Sequence, residues 1–168
     1  MAVNISSLEF RSAPFLEGIQ GALKNARLDP RYLQLELTET VLMRHAESTA
    51  CALDQLKAIG VRLAVDDFGT GYSSLSYLTR FPIDAVKVDQ SFVRDIIAST
   101  DDAIVVSAVI SMGKSLKHRV IAEGVETPEQ LAFLQAHGCD EGQGYYFSRP
   151  LVAQQFAKLL ETGISATI

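Results

Sequence analysis

An incomplete α/β barrel of the TIM type, with about six βα units, is the fold this sequence predicts. Short β-type runs alternate with amphipathic helical stretches from one end of the 168 residues to the other. Each run carries aliphatic residues on one face, and on the other small residues followed by a polar group near its C-terminal end. That suits a barrel with helices outside and a polar mouth. A third observation limits closure: an eight-fold barrel typically needs about 250 residues, of which this chain supplies about three-quarters.

Each element has its own signal. The first strand is predicted in "AVNIS" and the first helix in "PFLEGIQGALKNARL". In "YLQLELTE", Leu33, Leu35 and Leu37 alternate with Gln34, Glu36 and Thr38, the period of a strand. The helix "AESTACALDQLKAIG" follows, with Leu53, Leu56 and Ile59 at helical spacing and Gly60 as its stop. In "VRLAVDD", Leu63 and Val65 oppose Ala64 and Asp66; in "AVKVDQSF", Val86 and Val88 oppose Ala85, Lys87 and Asp89. Asp101 and Asp102 fit the first turn of the helix "DDAIVVSAVISMGKSLK", where the macrodipole favours acid. After the strand "RVIAEGVE", Thr127-Pro128-Glu129 opens the helix "PEQLAFLQAHG", stopped by Gly138. "GQGYYFS" is the sixth strand, and "VAQQFAKLLETG" a last helix. No linker, internal repeat or low-complexity tract divides the chain, so residues 1–168 read as one domain.

Composition excludes several functions. A net charge of −5 argues against DNA or an anionic membrane as partner, since both need a basic footprint. No apolar run approaches the roughly 18 residues of a bilayer span, and no signal-peptide plan opens the chain. Cys51 and Cys139 stand apart, reading as reduced thiols in a cytoplasmic setting. There is no GxGxxG fingerprint after the first strand and no Walker A loop. "DFG" alone does not make a kinase, because the HRD loop and the strand lysine of that class are missing.

In a βα barrel every strand delivers its C-terminus to one rim. That rim would gather Asn4, Glu36, Asp66, Asp67, Lys87, Glu123 and Gln143. Each has an ordinary reading alone: a turn cap for Asn4, a salt bridge for Glu36, a solvated turn for the aspartates, a charged loop start for Glu123 with Glu126. Lys87 is harder to dismiss, since a lysine facing inward from an apolar strand needs partners. Their coincidence at one topological position favours a site. Its oxygen-rich donors suit a hard cation, Mg²⁺ or Mn²⁺, and like charges as close as Asp66 and Asp67 call for one between them. His45, His118 and His137 have no ligand spacing and read as structural or surface residues.

These residues lie in motifs that resemble the EAL domain, the bacterial phosphodiesterase module that linearises cyclic di-GMP: "VNIS", "ELTET", "DDFGTGYSSL", "VKVDQSFV", "IAEGVET" and "GQGYYFSRP", in order along nearly the whole chain. The resemblance implies a βα barrel with two divalent cations at its mouth, the six units here corresponding to strands 3 to 8. It implies Asn4, Glu36 and Asp66 as ligands of the first cation, and Asp66 and Asp67 of the second. Lys87 would position or activate the attacking water, Glu123 would orient cation-bound water, and Gln143 would position water. Glu126 would pair with the loop beginning Phe68, Gly69, Thr70, Gly71 and running to Leu75, and Pro150 would lie near a guanine base.

The sequence also departs from that pattern. The Glu-Ala-Leu motif that names the family, with its ligand glutamate and the arginine that follows, has no counterpart here. An open barrel would leave two strand edges for a homodimer or another partner to cover. Two functions follow as expectations: hydrolysis of cyclic di-GMP to pGpG, or a catalytically inactive module that binds the dinucleotide or a protein.

Overall fold

The computed structural model describes residues 1–12, 14–43, 46–71 and 78–163. Six parallel strands follow one another in sheet order: β1 (Ala2–Asn4), β2 (Gln34–Thr38), β3 (Arg62–Phe68), β4 (Ala85–Val88), β5 (Arg119–Glu123) and β6 (Glu141–Gln143). The helices are α1 (Ser7–Phe10), α2 (Phe15–Ala26), α3 (Glu39–Met43), α4 (Ala46–Ile59), α5 (Gln90–Arg94), α6 (Thr100–Ser115), α7 (Pro128–His137) and α8 (Ala153–Thr162).

The strand registers place Leu35, Leu37, Leu63, Val65, Val86, Val88, Val120 and Ala122 on the helix-covered face. All are essentially inaccessible and join Leu53, Leu56, Val106, Ile110 and Leu134 of the helices in one core. The other face carries a separate cluster of Ala64, Ala85 and Ile121. The two alanines let the sheet curl tightly over its inner face. The curl is visible in side chains that meet across intervening strands: Arg119 on β5 donates to Gln34 on β2 at 2.8 Å. Three strand spacings would part them by about 14 Å in a flat sheet. The result is an incomplete α/β barrel, and β1 and β6 are the edges of its described sheet.

Several expected strands are shorter than their sequence runs. "AVNIS" stops at Asn4 because Ser6 and Glu9 form a capping box that starts α1. Glu39 opens α3 instead of ending β2, and Asp89 caps α5 by accepting the Ser91 N–H at 2.8 Å. The sixth run keeps only Gly142 and Gln143 as strand, with Glu141 added before them. A Cβ at Gly144 would lie 2.1 Å from the Val125 carbonyl oxygen, so the chain turns there in close backbone contact. α7 has the expected Thr127 cap, a full capping box with Gln130, and Gly138 at φ 72° as its stop.

Candidate functional site

The site lies on the inner face at the C-terminal ends of β2 to β5. Lys87 is 2% exposed, and its ammonium reaches three carboxylates from three other strands: Glu36 Oε2 at 2.5 Å, Glu123 Oε1 at 2.6 Å and Asp66 Oδ1 at 2.9 Å. Register dictates this convergence. Residues 36, 66, 87 and 123 all sit on the inner phase of their strands, and the aliphatic partners between them point to the helices.

Asp67 joins them through a break in the ladder. Val65 pairs with Val86 and Phe68 with Val88, so Asp66 and Asp67 together stand opposite Lys87. This is a bulge, rare between parallel strands, and it turns two successive side chains toward one side. Asp67 takes a left-handed backbone at φ 53°, and its N–H donates to Asp66 Oδ1 at 3.1 Å. The turn is closed by Thr70, whose hydroxyl donates to the Asp67 carbonyl at 2.8 Å.

Acceptor oxygens of Asp66, Asp67 and Glu123 lie within 4.8 Å of one another. Four carboxylates thus gather around one ammonium, which pairs with Glu36, Asp66 and Glu123 but not with Asp67. Burial pushes the Asp67 carboxyl up, and the charges of Asp66 and Asp89 add to the effect. Burial likewise lifts Glu123 against the opposing pull of Lys87. For Lys87 burial acts downward, but hydrogen bonds to Glu123, Glu36 and Asp66 outweigh it and hold the ammonium well above the ordinary lysine value. An all-oxygen donor set with uncompensated negative charge fits a hard divalent cation.

The remaining expected residues are placed unequally. Asn4 and Gln143 stand on the edge strands, in register with Glu36 and Glu123 respectively, and both are exposed. Pro150 is exposed on the rim, beside Arg149, whose guanidinium stacks on the Tyr145 ring at 4.5 Å. The loop from Phe68 to Leu75 is described only through Gly71. Glu126 is exposed and its N–H donates to Gln130 Oε1 at 2.7 Å. Among the described residues it is Glu39 that reaches the loop: its Oε2 accepts the Gly69 N–H at 3.4 Å and lies 3.5 Å from where a Cβ on Gly71 would be. Glu39 is 3% exposed, and its Oε1 is buried without a partner among the described residues. Residues 72–75 of the expected loop, and His45, lie outside the described residues.

Two further acids, Glu39 and Asp89, stand close to the site. Glu39 sits three residues after Glu36 in "ELTET", where a strand continued past Thr38 would turn it away from the inner face. Asp89 sits two after Lys87 in "VKVDQS", where it caps α5 and its charge helps to raise the Asp67 carboxyl.

Fold and site together define an acidic centre at the mouth of an open βα barrel, crossed by one buried lysine and fitting a divalent cation. The chain belongs to the EAL domain family, whose model matches residues 1–150. It is 48% identical over 151 residues to the cyclic di-GMP phosphodiesterase NbdA of Pseudomonas aeruginosa, covering 90% of this chain and 19% of that protein. It superimposes with a TM-score of 0.90 on the phosphodiesterase MucR of the same organism, solved as a c-di-GMP complex, at 43% identity over 92% of this chain and 63% of that one. It also resembles Klebsiella pneumoniae BlrP1 in a manganese/cy-diGMP complex, with a TM-score of 0.81, 38% identity, and coverage of 89% of this chain and 38% of that one. The chain spans about a fifth of the length of the curated relatives it matches.

Proposed function

We propose that this chain carries the metal-dependent phosphodiesterase site of an EAL domain, hydrolysing cyclic di-GMP to linear pGpG in bacterial second-messenger signalling. The observation behind it is the meeting of Asp66, Asp67 and Glu123 within 4.8 Å, beside a lysine bonded to two of them. Two divalent cations, Mg²⁺ or Mn²⁺, would be held there, one by Asn4, Glu36 and Asp66 and the other by Asp66 and Asp67. Such ions, when bound, neutralise phosphate charge and acidify water.

The other roles fall to side chains. Lys87, held protonated by its carboxylates, is a hydrogen-bond donor and cannot serve as the base. Glu123, whose proton affinity burial raises, orients the attacking water and takes its proton, with Gln143 positioning that water. The water oxygen bonds to phosphorus as the P–O3′ bond breaks; the leaving ribose oxygen takes a proton, and the 5′-phosphate stays on the linear product. Phe68, Gly69, Thr70 and Gly71 support Asp67 from behind, and Pro150 lines the approach of a guanine base.

Incubation with cyclic di-GMP and Mn²⁺, followed by chromatography, should yield the linear dinucleotide. Asp66→Asn should yield only background. Product formed equally by both proteins would overturn the reading. Exposure of Asn4 and Gln143 on edge strands favours a second reading, a binding or interaction module without turnover. Binding of cyclic di-GMP by folded protein with no product would decide for it.

The proposed setting is cytoplasmic; no described helix is long and apolar enough to cross a membrane. The edges at β1 and β6, the latter beside the exposed Phe156 of α8, are the faces a second copy or another partner would cover. Sedimentation of the isolated chain should give a mass above the 18.3 kDa of one copy, and a sharp monomer at every concentration would count against self-association.

A further inference from the structure

We propose that Gln34 is a positioning residue for Glu36, held in place across the barrel floor by Arg119 and Glu141. The inference rests on the reading of Glu36 as a cation ligand and adds to it residues that lie outside the proposed ligand set. Glu36 has two carboxylate oxygens and two different donors. Lys87 takes Oε2 at 2.5 Å from above, and Gln34 Nε2 donates to Oε1 at 3.0 Å from below. A carboxylate so fixed at both oxygens cannot turn about its last torsion, and Glu36 is 6% exposed, so water does not compete freely.

The orientation of the Gln34 amide is not arbitrary. Its oxygen accepts from Arg119 Nη2 at 2.8 Å, and a guanidinium has only donors to offer, so the NH₂ must face Glu36. Arg119 is in turn paired with Glu141 on the neighbouring strand, which directs the guanidinium toward β2. The chain of contacts runs from β6 through β5 to β2, beneath the site. It crosses the sheet where β3 and β4 present Ala64 and Ala85, which leave the space that larger side chains would fill. Partners behind a cation ligand commonly govern affinity by about 10- to 100-fold.

Mn²⁺ affinity measured calorimetrically on the whole chain tests the role, alongside thermal unfolding. Gln34→Met, of similar volume but without the donor, should weaken Mn²⁺ binding about tenfold. Arg119→Met should weaken it similarly, and Arg119→Lys, which keeps a donor for the Gln34 oxygen, should restore part of the loss. In a Glu36→Gln background, Gln34→Met should cost nothing further. Lower thermal stability with Mn²⁺ affinity unchanged would make the network a strut only and overturn the inference. Wild-type protein that binds no Mn²⁺ would sink the phosphodiesterase reading instead. A crystal structure of Gln34→Met without metal still decides the present one: Glu36 turned away from Lys87 supports it, and an unmoved carboxylate refutes it.

Discussion

Successive residues of a regular strand point to opposite faces, so Asp66 and Asp67 can serve one site only where the pleat is broken. The bulge against β4 breaks it, at the cost of a left-handed backbone at Asp67 and two carboxylates in a poorly solvated place. Lys87 is the only ammonium or guanidinium that offsets those charges among the described contacts of the site. Replacing it by methionine keeps the bulk and strands two buried acids, Glu36 and Asp66, and the half-buried Glu123. Lys87→Met should therefore lose about 3 kcal/mol of stability in urea unfolding. Added Mn²⁺ should recover part of that loss, because a divalent ion can take over the same carboxylates. An unaltered urea midpoint would show that the acids are solvated or protonated and do not depend on the lysine.

At the scale of elements, helices and sheet meet with unequal tolerance. α6 lies close on β5: a Cβ added at Gly113 would come 2.3 Å from Val120 Cγ2, and Val120 is fully buried. Gly113→Ala should destabilise by about 1–3 kcal/mol despite the better helix propensity of alanine. Gly21, in α2, has nothing within 4 Å of an added Cβ, so Gly21→Ala should stabilise by about 0.5–1 kcal/mol. Thermal unfolding of the pair checks both signs together.

The same contrast explains what the sequence made legible. Alternation in "LQLELT" and "AVKV" identifies strands and their inner faces, because period two is written residue by residue, and it puts Glu36 and Lys87 on the face where they meet. The short helices α1, α3 and α5 were missed, because four or five residues hold too little helical period to detect. α3 takes Glu39 out of the strand and brings its carboxylate to the Gly69 N–H. The bulge left its mark as a doubled aspartate. Gln34 reaching Arg119 left none, since their 85-residue separation closes only when the sheet curls.

For the whole molecule, the site sets a relation between cation binding and stability. The chain carries a net charge of −5, and the oxygen donors come from β2, β3 and β5, so the unfolded chain cannot assemble them. An ion that binds only the folded state stabilises it by about RT ln(1 + [M]/Kd), roughly 2.7 kcal/mol at a hundred times Kd. Above saturation each bound ion adds about 1.4 kcal/mol per tenfold rise in free Mn²⁺. The slope therefore counts ions: two at this centre should approach about 2.8 kcal/mol per decade, and a single ion half of that. Asp66→Asn removes the carboxylate proposed to serve both ions and should flatten the slope, whereas a substitution far away on α2 should leave it alone. Urea unfolding at a series of buffered Mn²⁺ concentrations, reversed by chelator, gives the number directly. A flat line in wild-type protein would mean that Lys87 is the only cation these carboxylates hold, and would leave this βα half-barrel as a binding module.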